Sequence, residues 1–140
     1  MKVLVLNGPN LNMLGLREPE LYGKGTYADL EAFVAETASR LGVEVEMRQT
    51  NHEGTLVDWI QQSRGVFDAI VLNAAAYTHT SVAVLDALKA VKARCVEVHL
   101  TDPKTREDFR HVSYVGMVAE KTFAGLGFGS YSAALEYLAG

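Results

Sequence analysis

The chain has a single cysteine, Cys95, among its 140 residues. It forms no internal disulfide, and that count points to a reducing, cytoplasmic setting. Cys95 falls in an expected strand, where a thiol serves as a small buried hydrophobe. There is no basic run, and the net charge of −4 argues against a nucleic-acid partner. No apolar stretch approaches the roughly 20 residues of a membrane span, so no membrane partner is expected. Met1-Lys2 leads directly into the first strand, which argues against a signal peptide. Neither a phosphate-binding P-loop nor a G-x-S-x-G nucleophile elbow is present. The four histidines, at positions 52, 79, 99 and 111, lack H-x-x-x-H spacing and a cysteine pair. They suggest no metal site.

What is present is ordinary for a globular protein: 49% apolar and 21% charged residues. We expect a single domain over residues 1–140. A chain of this size buries roughly 70% of its unfolded surface. Lys2–Asn7 is a short apolar run with β-branched residues, stopped by Gly8-Pro9. It reads as a buried strand. From about Gly8 to Gly25 no helical or strand period appears. Strand-to-helix connections are usually about 2–6 residues, and longer ones tend to be lids or binding loops. This one carries Asn10, Asn12, Arg17, Glu18 and Tyr22 among several glycines and prolines.

Thr26 and Asp29 have the form of a capping box. Tyr27, Leu30, Val34, Ala38 and Leu41 follow at helical spacing, and Gly42 is a natural stop. Val43, Val45 and Met47 alternate with charged residues, as in a half-exposed strand at or near an edge. A second helix carries Leu56, Trp59 and Ile60 and ends near Gly65. Phe67–Asn73 is a third, central strand. Thr80 or Ser81 caps a helix with Val84, Leu85, Leu88 and Val91. Arg94–Leu100 is a fourth strand. Thr101–Val112 is polar, a loop with a short helical turn. Lys121–Leu126 is a fifth strand, and Ser130 caps a last helix bearing Tyr131, Ala134, Leu135 and Leu138.

Strict alternation of strand and helix predicts an α/β fold with a parallel sheet and helices on both faces. Five strands in this length fit a flavodoxin-like three-layer sandwich with the order 2-1-3-4-5. Ligands of such sheets bind beyond the carboxyl ends of the strands, at the switch point between strands 1 and 3. Asn7, Asn73 and His99-Leu100-Thr101 stand at those ends.

Glu97 and His99 interrupt an apolar strand two residues apart, so they project to one face. A buried carboxylate needs a partner, and beside a histidine it favours the imidazolium. The pair reads equally as a general acid with its partner or as a structural contact. Asn73 and His79 flank a run of small residues, suited either to a hydroxylated ligand or to a capped helix start with a surface histidine. Arg106 and Arg110 lie four apart, on one face if that segment is helical. They are either a solvated face or ligands. Gly125, Gly127 and Gly129 read as a tight strand-to-helix turn.

Several stretches together resemble the type II 3-dehydroquinate dehydratases. They are Leu6-Asn-Gly-Pro-Asn-Leu-Asn-Met-Leu-Gly15, Arg17-Glu-Pro19 with Tyr22-Gly23, Asn73 through Ser81, Glu97-Val-His-Leu100, and Arg106-Glu-Asp-Phe-Arg110 with Ser113-Tyr114. The resemblance covers essentially the whole chain. It implies a lyase that eliminates water from 3-dehydroquinate to give 3-dehydroshikimate through an enolate, in the shikimate pathway of aromatic amino acid biosynthesis, with no cofactor or metal. It implies a homo-oligomer, a dodecamer built from trimers. Tyr22 matches the base at C2, with Arg17 on the lid helping to make it basic. Asn10 matches the holder of a water against the enolate oxygen. His99 matches the acid that protonates the departing C1 hydroxyl, with Glu97 as its partner. Asn73, His79 and Arg110 match ligands of the substrate hydroxyls. The amides of Leu100 and Thr101 match a carboxylate cradle, and Asp86 matches a residue reaching a neighbouring subunit's site.

Some positions depart from the family pattern. Ala75 stands where glycine is usual, Thr101-Asp102 replaces Ser-Asn, Lys104 replaces a histidine, and Leu85 replaces an arginine before Asp86. Rival functions fit less well. A phospho-receiver needs acidic residues at the ends of strands 1 and 3, where Asn7 and Asn73 stand. A flavin carrier needs a hydroxyl-rich phosphate loop in place of Pro9-Asn10-Leu11. An inactive sugar-acid binder would be expected to have lost Tyr22 or His99.

Overall fold

The computed structural model describes residues 1–16 and 25–140. Its centre is a five-stranded, all-parallel sheet of order β2-β1-β3-β4-β5. The strands are β1 (Lys2–Asn7), β2 (Glu44–Gln49), β3 (Ala69–Asn73), β4 (Cys95–His99) and β5 (Lys121–Ala124). The helices are α1 (Tyr27–Leu41), α2 (Glu53–Gln62), α3 (Val82–Val91) and α4 (Gly129–Ala139). This is the order expected from the alternation.

Side-chain alternation divides the core into two layers. Val3, Val5, Val71, Val96 and Val98 face α1 and α4, where Leu30, Val34, Tyr131 and Leu135 meet them. Leu4, Leu6, Ile70, Leu72 and Cys95 face α2 and α3, against Leu56, Ile60, Val84 and Leu88. β1, β3 and β4 are buried along nearly their whole length, as strands covered on both faces must be. β2 alternates half-buried and exposed residues at its edge. Burial pushes the Cys95 thiol up to about 12, so it remains an inert apolar group. Among the described residues no helix is long and apolar enough to cross a membrane.

Local signals set most boundaries. Thr26 Oγ1 accepts from the Asp29 amide at 3.1 Å, and Asp29 Oδ2 accepts from the Thr26 amide at 3.0 Å. Gly42 closes α1 with φ 69°, a left-handed conformation natural to glycine. Ser81, rather than Thr80, caps α3 by accepting from the Val84 amide at 3.0 Å.

One expectation needs correction, and two readings left open are settled. Ser130 does not cap α4: it lies inside the first turn, and its hydroxyl accepts from the Leu126 amide upstream. Arg106 and Arg110 do not share a helix. Short 3₁₀ turns at Pro103–Thr105 and Asp108–Arg110 are separated by an extended Arg106. The run of small residues after β3 forms a further 3₁₀ turn, Ala75–His79, before α3.

Candidate functional site

The strands' carboxyl ends open into a cleft between the loops after β1, β3 and β4. Pro9, Asn10, Leu11 and Leu14 form one wall. Asn73, Ala75, Ala76 and His79 form the second, and His99, Leu100, Thr101, Pro103, Arg106 and Arg110 the third. Asn10, Asn73, His79, His99, Leu100, Thr101 and Arg110, named from sequence, thus converge on one space. Asp86 does not: it is exposed on α3 and borders none of these walls. Arg17 and Tyr22 lie outside the described residues.

Glu97 stands behind His99. Its side chain is almost fully buried, at 2% exposure, and such a carboxylate must be held by donors. His99 Nε2 donates to Oε2 at 2.6 Å. Thr78 Oγ1 donates to the same oxygen at 3.1 Å, as does the Ser113 hydroxyl. Thr122 Oγ1 donates to Oε1 at 2.8 Å. Burial alone would raise the carboxyl's pKa. The hydrogen bond and charge of His99, with the Ser113 and Thr122 hydroxyls, more than offset it and bring the value to about 2. Glu97 is therefore an anion at any working pH, and it fixes the imidazole by Nε2. His99 itself borders the cleft, and its bond to Glu97 leaves the ring's other nitrogen, Nδ1, outside that pair.

His79 Nδ1 donates to the Val112 carbonyl at 2.7 Å. Burial lowers its pKa, so a neutral ring with Nδ1 protonated leaves Nε2 as an acceptor. Arg110 is held by Nε donating to Glu107 Oε2 at 2.6 Å. Asp102 turns its carboxylate back onto the Lys104 amide, at 3.0 Å. Its side-chain oxygen thus caps the turn, and the residue borders the far side of Glu97 rather than the main cleft.

The loop after β1 is braced from outside. Asn10 adopts φ 71°, a left-handed conformation that asparagine tolerates, and its amide donates to Asn51 Oδ1 at 3.0 Å. Gln49 Nε2 also donates to Asn51 Oδ1, at 3.1 Å. Gly8 donates to the Asn73 carbonyl at 2.8 Å. A Cβ at Gly8 would meet the Ala74 carbonyl oxygen at 2.4 Å, so only glycine permits this approach.

Sequence reasoning missed the hydroxyls of Thr78 and Thr122 and assigned no role to Ser113. Thr122 becomes visible only in the sheet register, where it is the β5 partner of Glu97. Sequence reasoning also missed Tyr131 as more than core. The tyrosine hydroxyl donates to Asn7 Oδ1 at 2.6 Å and accepts from Asn73 Nδ2 at 2.9 Å.

Residues 1–139 match the family described as Dehydroquinase class II. The 3-dehydroquinate dehydratase 2 of Pseudomonas putida is 53% identical over 137 residues, covering 98% of this chain and 92% of that protein. The 3-dehydroquinate dehydratase of Bartonella henselae is 51% identical over 138 residues, covering 99% and 93%. Among solved structures, the type II dehydroquinase from Butyrivibrio crossotus superposes with a TM-score of 0.97 at 42% identity, covering 100% of this chain and 98% of that one.

Proposed function

We propose, for a chain that belongs to the class II dehydroquinase family, that it is a hydro-lyase converting 3-dehydroquinate to 3-dehydroshikimate and water. The observation that carries this reading is the buried Glu97–His99 pair opening on a cleft shared with Asn10, Asn73, His79 and Arg110.

The reaction removes a proton from C2, next to the ketone, and a hydroxyl from C1. We assign the base to Tyr22, with Arg17 favouring its ionised, basic phenolate form; both assignments rest on the sequence motif. An unperturbed phenol has a pKa near 10, so it needs nearby cations to act as a base. Removing the C2 proton leaves an enolate, whose oxygen is stabilised by a water held by Asn10. The enolate then collapses, the C1–O bond breaks, and His99 gives its Nδ1 proton to the leaving oxygen. Water departs, and the conjugated enone remains. The Glu97 carboxylate balances the imidazolium's positive charge before that transfer. The neutral His79 accepts from a substrate hydroxyl, Asn73 and Arg110 donate to others, and the Leu100 and Thr101 amides receive the carboxylate.

We further propose that residues 1–140 form a single catalytic domain, that the enzyme works in the cytoplasm, and that it serves aromatic amino acid biosynthesis through the shikimate pathway. Its free Cys95 thiol is consistent with a reducing compartment. We also propose a dodecamer built from trimers, in which the exposed Asp86 meets a neighbouring subunit's site.

The test is to add 3-dehydroquinate to the purified protein and follow the enone absorbance. No rate above the uncatalysed reaction would overturn the proposal. Borohydride treatment in the presence of substrate separates the enolate from a lysine Schiff base. Inactivation with a reduced adduct on any lysine would overturn the enolate route.

A further inference from the structure

We propose that Tyr131 is a positioning residue for substrate binding: its hydroxyl fixes the Asn73 carboxamide, and with it the loop that carries His79. This rests on the reading of Asn73 and His79 as ligands of substrate hydroxyls.

Asn7 and Asn73 are register partners that end adjacent strands, β1 and β3. Both side chains project towards α1 and α4, where Tyr131 is fully buried. A phenol has one hydrogen to give. Tyr131 gives it to Asn7 Oδ1 at 2.6 Å, so the oxygen must accept from Asn73 Nδ2 at 2.9 Å. Asn7 Nδ2 completes the chain towards the Tyr27 hydroxyl at 3.4 Å. Asn7 Nδ2 also donates to the Arg48 carbonyl at 3.4 Å, and Asn73 Oδ1 accepts from the Ala75 amide; these backbone partners fix the orientation of each carboxamide. Burial raises the Tyr131 pKa far above the ordinary phenol value, so the proton stays and the direction of the chain does not reverse with pH.

The consequence reaches the cleft through Asn73. Its Oδ1 accepts from the Ala75 amide at 3.2 Å. That bond sets the start of the turn Ala75–His79, where Ala75 takes a left-handed φ of 52°. Asn73 retains one Nδ2 hydrogen and one Oδ1 lone pair, and it borders the cleft. A freed carboxamide would rotate, lose its aim at a ligand, and loosen the turn under His79.

The experiment is Tyr131→Phe, which keeps the ring and removes the oxygen. KM for 3-dehydroquinate is expected to rise about tenfold, the scale of one lost hydrogen bond. kcat should stay within about threefold, the pattern of lost uniform binding. Crystals of the variant should show the Asn73 carboxamide rotated away from its wild-type position. A wild-type KM, whatever the melting temperature, would overturn the proposal. If Tyr131→Phe does not fold, Asn7→Leu takes its place: it strips the acceptor that aims the phenol, and the same rise in KM is expected, with an unchanged KM overturning the proposal. If the wild-type protein shows no turnover, the functional reading fails separately. The Asn73 orientation in the variant crystals then decides the role of Tyr131, an unmoved carboxamide counting against it.

Discussion

Thr122 lies opposite Glu97 in the β4–β5 register and donates to its Oε1 at 2.8 Å. The remaining donors, from His99, Thr78 and Ser113, converge on the other oxygen. β5 therefore supplies a donor that no other element gives to Oε1 among the described residues. Thr122→Val removes this hydroxyl at nearly constant shape. Urea denaturation should give a loss of about 1–3 kcal/mol, the cost of leaving a buried acceptor unmet. Wild-type stability would remove Thr122 from the support of Glu97.

The same carboxylate makes stability depend on acid. Its pKa falls from an ordinary 4.5 to about 2 in the folded protein. A folded value below the unfolded one means that the ionised group stabilises the fold. That contribution is complete above about pH 4.5 and is lost as pH falls through about 2. The expected size is on the order of 3 kcal/mol. Denaturation curves taken across this window should slope accordingly, and Glu97→Gln should flatten that part of the dependence. An equal slope in the variant would assign the acid sensitivity to other carboxylates.

Base and acid should fail independently of binding. Tyr22→Phe and His99→Ala are each expected to lower kcat by about 100-fold or more, while substrate affinity survives. Single-turnover rates and equilibrium binding separate the two quantities. A variant within a few-fold of wild type would exclude that residue from its assigned step.

Ala75 offers a test in the opposite direction. Its φ of 52° explains the usual glycine at this position, because a side chain there costs about 1–2 kcal/mol. Glycine's greater freedom in the unfolded chain takes back about 0.5–1 kcal/mol. Ala75→Gly should therefore be more stable by about 0.5–1 kcal/mol, read as a higher Tm. A lower Tm would mean that packing of the Ala75 methyl outweighs the backbone term.

Periodicity made the fold readable. Alternation in Val43–Met47 identified an edge, and unbroken apolar runs identified the centre. Glu97 and His99 were readable because polar residues do not occur in a covered strand without cause. The supporting hydroxyls were not. Thr78, Ser113 and Thr122 are common polar residues in unremarkable surroundings, and they meet Glu97 only when a turn and two strands converge. Tyr131 sat at a helical core position, and its bond to Asn7 spans 124 residues. Ser130 followed the composition of a cap, yet helix α4 began at the preceding Gly129. The spacing of Arg106 and Arg110 would have placed them on one face only in a helix, whereas an extended Arg106 and a short turn carrying Arg110 bring both to the cleft.

The contact between Gly8 and the backbone around Ala74 leaves no room for a side chain. The loops after β1 and β3 are therefore not independent parts that evolution or an engineer could exchange singly. A graft of one loop from a distant relative would arrive with a backbone path shaped to a different neighbour. A displacement of a few tenths of an ångström at that seam would pass to Asn10 on one side and Asn73 on the other. Substrate range in this scaffold is therefore expected to change more readily by exchanges that keep Gly8 and its approach to Ala74 than by ones that place a side chain at that seam.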